Sequence, residues 1–330
     1  MFLINLLLFA SLIFPKKVAI LLEIKSPAFD IIVDNNELFM VECATIFIYS
    51  LENFRLKKKF GRRGEGPQEF KVHPAEHVGL SVQPDSLLVQ SGGKISFFTR
   101  DGQFKKEISR IIGFAALTPL DNNYVAYSRK IIDNKNYQLI NLLDANFKKI
   151  KEVCRSEHNI QKNKIEMLRG TFHFKIYDNH IYVVYAEGDF VLDCFDKDGN
   201  IKLSIKDKKF PKRKVSDKDK KRIHDWFKFH FKGWYHKNKY RMRVDDFWPA
   251  IGTFFIDNNI IYIGTYLKQE ENWIFYLYSM KGNFIKTLSL PLFERHIWAP
   301  YPYYIKNGKL YQVLENEDTE TWELHITEIQ

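Results

Sequence analysis

The stretch FKIYDNHIYVVYAEGDFVLDCFDKDG, residues 174–199, carries two turn signals between three runs of strand-forming residues. Asp178-Asn179 separates FKIY from HIYVVY, and DKDG closes the third run at Asp196. Asx and Gly residues supply the local hydrogen bonds and positive φ that a tight hairpin requires. Val, Ile, Tyr and Phe fit the pleated, half-buried surface between such turns. The stretch therefore reads as an antiparallel meander, and its importance lies in its recurrence.

The same pattern returns in five further segments: FDIIVDNNELFMVECATIFIYS from Phe29, VGLSVQPDSLLVQSGGKISFFTRDG from Val78, LTPLDNNYVAYS from Leu117, TFFIDNNIIYIGTY from Thr253 and YYIKNGKLYQVLE from Tyr303. Their first turns fall at Asp34, Asp85, Asp121, Asp178, Asp257 and Asn307. A second turn, at Leu51, Arg100, Asp144, Asp196 and Lys281, leads into a fourth strand such as FKKEIS from Phe104. Four antiparallel strands repeated six times give an all-β six-bladed β-propeller. The sixth unit ends after three strands at Gln330, while VAILLEI, Val18 to Ile24, is a strand without a blade. Docking that strand beside the last one closes the ring and hides two edges.

Composition agrees with this reading. Of 330 residues, 45% are hydrophobic and 15% aromatic, with 28 Phe and 17 Tyr, enough to fill the spaces between blades. The formal charge of +10 belongs to one segment: Lys206–Arg243 holds 16 Lys/Arg against 4 Asp/Glu, a local +12 that leaves the rest of the chain at −2. Cys43, Cys154 and Cys194 form no CxxC pair, which excludes a zinc ribbon or dithiol motif, and buried free thiols are expected. The apolar run Phe2–Phe14 suits the core of a secretory signal, although no Lys or Arg precedes it and no A-x-A site follows. The expected division is a signal peptide or anchor over 1–17 and the propeller over 18–330, exported to the periplasm, cell surface or medium.

The run FGRRGEGPQEF, Phe60 to Phe70, raises the question of a phosphate loop. Gly61 and Gly66 are followed by Pro67 and Gln68 rather than Lys and a hydroxyl, and a GxGxxG from Gly64 meets Glu69 where it needs glycine. The glycines turn the chain between blades one and two. Followed by VHP, the run resembles the G-x-x-G-x-G-P-G-E-F signature of NHL-like six-bladed propellers, with a TolB-like architecture, found among exported bacterial proteins. Gly61, Gly64, Gly66, Pro67, Glu69, Phe70 and Pro74 match, and Gln68 replaces the usual glycine. The resemblance implies the propeller and export, and little chemistry.

Insertions gather on the face formed by blade-to-blade links and second-to-third strand loops: Gly61–Glu76, Val153–Gly170, Lys206–Ala250 and Pro291–Pro300, with smaller ones at Arg129–Asn136 and Lys268–Glu271. Loops concentrated on one face of a rigid scaffold mark a functional surface. Within the largest, Ser216 caps a helix expected over Asp217–Phe231, with Ile223, Trp226, Phe227 and His230 near helical spacing. The candidate binding residues are Arg62, Arg63, Glu65, Trp226, Trp234, Tyr235, Arg241, Arg243, Trp248, Arg295, His296 and Trp298. Cations mixed with aromatic faces suit a polysaccharide, a peptide or a protein partner. Export argues against nucleic acid, and a membrane is expected to be met only through the N-terminal segment of a monomer.

Catalytic patterns fail. Pro74 separates His73 from His77, and His224, His230 and His236 are spread around a helix by their six-residue spacing. DKDGN at Asp196 resembles the start of a calcium loop without its later ligands. No cofactor is expected; the alternative function, a propeller hydrolase or lyase of the lactonase type, would take Ca²⁺ on carboxylates and histidines converging at the channel.

Overall fold

The computed structural model describes residues 15–25, 30–72, 78–109, 113–157, 164–168, 172–185, 190–208, 210–297 and 299–329. The leader expected over Phe2–Phe14 lies outside them, as do His73, Pro74 and His77.

Six four-stranded antiparallel sheets make six blades. Blade one is Asp30–Asp34, Glu37–Glu42, Thr45–Ser50 and Leu56–Phe60, and blade two Gly79–Val82, Ser86–Ser91, Lys94–Thr99 and Phe104–Ser109. Blade three is Ala116–Leu120, Asn123–Ile132, Lys135–Leu143 and Lys149–Glu157; blade four is His173–Tyr177, His180–Tyr185, Phe190–Phe195 and Ile201–Asp207. Blade five is Thr253–Asp257, Ile260–Gln269, Asn272–Ser279 and Phe284–Leu290. In each of these five the first strand is innermost and the fourth outermost, and the first strands of all six blades line a central channel.

Blade six closes the ring as expected. Tyr303–Lys306, Lys309–Asn316 and Thr321–Glu328 take their fourth strand from Lys16–Ile20, with Lys16 opposite Ile326 and Ile20 opposite Glu323. The strand lies two residues earlier than the apolar run suggests. Leu21 continues its pairing by donating to the Trp322 carbonyl at 2.7 Å; then Leu21 and Ile24, almost fully buried, turn inward against Ile31, Trp322 and Leu324. That cluster joins the two ends of the ring, so the apolar residues after Ile20 belong to the closure rather than to the strand.

The Asx turns have a backbone reason. Asn35 and Asn36, Asp178 and Asn179, Asn258 and Asn259, and Asn307 and Gly308 all take positive φ at both central positions. This is the geometry that matches the right-handed twist of the flanking strands, and Asn, Asp and Gly tolerate it best. The second turns are held from within: Asp196 Oδ1 accepts the Asp198 and Asn200 amides at 3.0 and 2.8 Å, and Asp144 Oδ1 accepts those of Asn146 and Lys148. DKDGN is such a turn rather than a calcium loop. The Asn200 backbone bond holds the Asp196 carboxyl down at about 2, helped by the Lys202 ion pair at 3.1 Å.

Blades are stapled at their turns as well as packed face to face. Arg100, at the end of blade two's third strand, donates to Asp34 Oδ2 and Glu37 Oε2 at 2.9 Å each and to two carbonyls, while its guanidinium lies 5.2 Å from the centre of the Phe39 ring.

Two expectations change. Arg129–Asn136 is not a loop but an extension of the second and third strands of blade three, paired through Ile132 and Lys135. All three cysteines are unbridged, yet only Cys194 is buried; Cys43 is exposed and Cys154 half-buried.

Candidate functional site

The insertion between blades four and five rises from a closed stem. Val215 donates to the Asp246 carbonyl and Trp248 to the Arg213 carbonyl, both at 2.8 Å, and Lys214 bridges Phe247. At the stem Ser216 opens the helix Asp217–His230 with a reciprocal box: the Asp219 amide donates to Ser216 Oγ and the Ser216 amide to Asp219 Oδ2, at 3.1 Å each. Two of the helix's unpaired amide donors are thereby satisfied. Asp219 is buried and receives Arg213 at 2.7 Å. The expected helix ends one residue early, because Phe231 leaves the helical region (φ −133°, ψ 46°); a second helix, Lys232–Asn238, then turns back.

One residue seats the hairpin. Ile223 is fully buried among Leu168, Val215, Trp248 and Ile297, which come from the stem and from two other blade-to-blade links. Ile165–Glu166 runs parallel to Met242–Arg243, stitching the link after blade three to the end of the insertion. Glu294, after blade five, accepts from Lys268 at 2.8 Å and Arg222 at 3.4 Å. The insertions therefore form one built-over face.

Between the first helix and residues 295–297 lies a cleft of about 410 Å³ lined by Arg222, Asp225, Trp226, Phe229, His230 and Arg295. Trp226 sits at its centre, with its ring 4.7 Å from His230, 5.5 Å from Phe231 and 6.0 Å from His296. Burial, then the neighbouring Arg295 and His230, pushes His296 down to about 4, which leaves it neutral at pH 7. Arg295 and His296 also border the mouth of the central channel.

Of the residues singled out in the sequence, Trp226, Arg295 and His296 come together in this way. Trp234 is exposed on the second helix, 5.5 Å from Phe227, and the Tyr235 hydroxyl reaches His224 Nδ1 at 3.4 Å. Arg241 donates to Asn238 and Arg243 to the carbonyls of Tyr240 and Met242. Trp248 is buried, stacked on Tyr266 at 5.0 Å beneath Arg213. It anchors the stem rather than presenting a surface. Trp298 lies outside the described residues.

Arg62, Arg63 and Glu65 are not brought to this cleft. They belong to the link between blades one and two, whereas the hairpin joins blades four and five. Arg62 pairs with Glu69 at 2.8 Å and Glu65 with Lys71 at 2.7 Å. Glu69 also accepts the Gly66 amide at 2.9 Å, and Lys94 Nζ donates to the carbonyls of Glu65, Gly66 and Glu69. The glycine-rich run is thus a self-clasped turn, and Arg62, Glu65 and Glu69 serve the clasp.

Sequence reasoning missed the most exposed aromatics of the face. Phe229 is 82% and Tyr240 70% exposed, more than any other aromatic ring among the described residues. Lys218, Lys221, Lys228, Lys232, Lys237 and Lys239 lie on or beside the same two helices, and none has an ion-pair partner among the described residues. Phe229 could have been found as the helical position facing away from Ile223. Among the described residues no three His, Cys, Asp or Glu side chains lie together as a metal-binding group.

Fold and surface together define a class: a six-bladed β-propeller with one face built over by a basic, aromatic helical hairpin. No family model matches the sequence, and no curated protein matches it. Among solved structures, it is similar to a member of the DUF4221 family from Bacteroides vulgatus, at 11% identity and a TM-score of 0.52, covering 96% of this chain and 97% of that one. A structure of BBS1N in complex with ARL6DN aligns over 88% of this chain and 73% of that one at 13% identity, with a TM-score of 0.37, too low to argue from. At these identities the likeness establishes the propeller fold alone.

Proposed function

We propose that the protein is a binding propeller that holds a negatively charged partner, whether polysaccharide, peptide or protein, on the hairpin face. The observation that carries this reading is the cleft beside Trp226, where Arg222 and Arg295 meet Phe229 and His230 on a hairpin whose lysines have no acidic partner among the described residues. A single-sign surface raises the local concentration of an oppositely charged ligand, and exposed rings give it area to stack on. A rigid scaffold with short, bonded turns holds that surface at little entropic cost on binding. Export and kinship with NHL-like propellers rest on the Phe2–Phe14 run and the Gly61–Phe70 signature and are part of the same proposal. The lactonase-type alternative draws no support from the described carboxylates and histidines, which form no common ligand set.

The stem supplies the test. Because the Val215 amide already bonds the Asp246 carbonyl, residues 217–245 can be replaced by two glycines without stretching the chain. The excised protein is expected to keep its β-sheet circular dichroism and to lose binding to dextran sulfate, a polyanionic probe. Retained affinity would remove the hairpin from the site.

A further inference from the structure

The central channel holds a second feature, independent of the hairpin. It encloses about 740 Å³, a volume suited to a small molecule, and its walls mix polar side chains with apolar and aromatic ones, among them Ile32, Leu80, Phe174, Phe255, Tyr303 and Tyr304. Into this wall the innermost strand of blade four, HFKIY, brings one cation, Lys175. Its Nζ lies 5.2 Å from the centre of the Phe255 ring and 5.9 Å from that of Tyr304. Among the described residues it makes no hydrogen bond and no ion pair within 4.0 Å; Asp30, at the start of the blade-one inner strand, acts on it only through its field. Burial draws the amine's pKa below the ordinary lysine value, and Asp30 partly restores it.

An ammonium set among rings without an acceptor is costly to keep, and substituting an apolar side chain there relieves that cost. Cation–π contact offsets part of it but leaves the N–H donors unmet. A cation held against the Phe255 and Tyr304 rings, with the Asp30 carboxylate nearby, selects for a single negative charge on an aromatic or apolar body. A dianion such as phosphate would meet the field of Asp30 and gain nothing from the rings.

We propose that the channel is a binding site for a small aromatic or apolar monocarboxylate, its carboxylate paired with Lys175 Nζ and its body against Phe255, Tyr303 and Tyr304. The test uses benzoate on the full chain, with benzamide as its neutral counterpart and inorganic phosphate as the competing anion. Ligand-detected NMR and calorimetry are expected to show saturable benzoate binding with a Kd of about 1 mM or tighter, in keeping with the affinity available to a ligand of this size. Benzamide and phosphate are expected to bind at least ten-fold more weakly. Lys175→Met is expected to weaken benzoate at least ten-fold while raising the melting temperature of the ligand-free protein. Benzoate binding unchanged in Lys175→Met, no benzoate binding to the wild type, or phosphate bound as well as benzoate would each overturn the proposal. So would a Lys175→Met chain that fails to fold, because the ammonium would then be a structural group.

Discussion

Gly61 and Gln68 occupy the same unusual region of backbone space within one turn, and changing each should move stability in opposite directions. Gly61 has φ +84°, and a Cβ built on it would lie 2.4 Å from the Phe70 ring and 2.6 Å from the Ala44 carbonyl oxygen. Phe70 is fully buried and stacks edge-on against Phe98, so the ring cannot move aside without disturbing the core between blades one and two. Gly61→Ala incurs about 1–2 kcal/mol for the left-handed backbone and about 1–3 kcal/mol for displacing packed atoms. The net loss is about 2–4 kcal/mol once the stiffer unfolded chain is counted. Gln68 has φ 62° with an exposed side chain that makes no hydrogen bond among the described residues, so Gln68→Gly relieves the same backbone strain. Glycine's larger unfolded-state entropy offsets part of the gain, leaving a stabilisation of about 0.5–1 kcal/mol. Chemical denaturation with a common m-value reads both variants. Gly61→Ala within 0.5 kcal/mol of wild type, or Gln68→Gly destabilised, would refute the assignment of this turn.

Three further outcomes follow from particular contacts. Arg100→Met leaves Asp34 and Glu37 facing each other without their shared cation and is expected to lower unfolding free energy by about 2–4 kcal/mol in the same assay. His173 is pushed down to about 4 by burial and then by Lys175, so the unfolded chain takes up a proton near pH 6.5 while the folded chain resists it. Stability from this histidine is fully present above pH 6.5 and is lost as pH falls toward 4, about 2 kcal/mol between pH 7 and 5; His173→Gln should flatten that slope in a pH series of denaturation curves. Ile223→Asp places a charge among Leu168, Val215, Trp248 and Ile297 and should undock the hairpin, giving rapid proteolysis within 217–245 while the blades stay resistant.

The blades were legible because their turns impose a backbone conformation that few residues tolerate: Asn35-Asn36, Asp178-Asn179 and Asn307-Gly308 had to be Asx or Gly pairs. The ring closure was legible for a similar reason, since an apolar strand without a blade and a blade without a strand have one economical solution. Its boundary was not, because Leu21 and Ile24 are apolar for the sake of the inter-blade core and not of the strand. Ser216 marked the helix start through a local capping rule, while its box partner Asp219 and the break at Phe231 emerged only with the structure. Side-chain roles were harder. Trp248 and Trp226 are both tryptophans among basic residues, yet one is buried under Arg213 and the other faces a cleft; that difference is set by the stem and by links distant in sequence. Lys175 was hidden for the converse reason, since one lysine in HFKIY looks like an ordinary outward position until the ring places that strand at the channel.

The most direct test of the hairpin's role is the salt dependence of dextran sulfate binding, compared between the wild type and a Lys218→Gln/Lys221→Gln/Lys228→Gln/Lys232→Gln variant. If these lysines hold the polyanion, wild-type affinity should fall roughly ten- to hundred-fold between 50 and 200 mM salt, and the variant should bind weakly with a nearly flat dependence. Equal affinities and equal slopes for the two proteins would contradict the assignment of the basic, aromatic hairpin as the binding face.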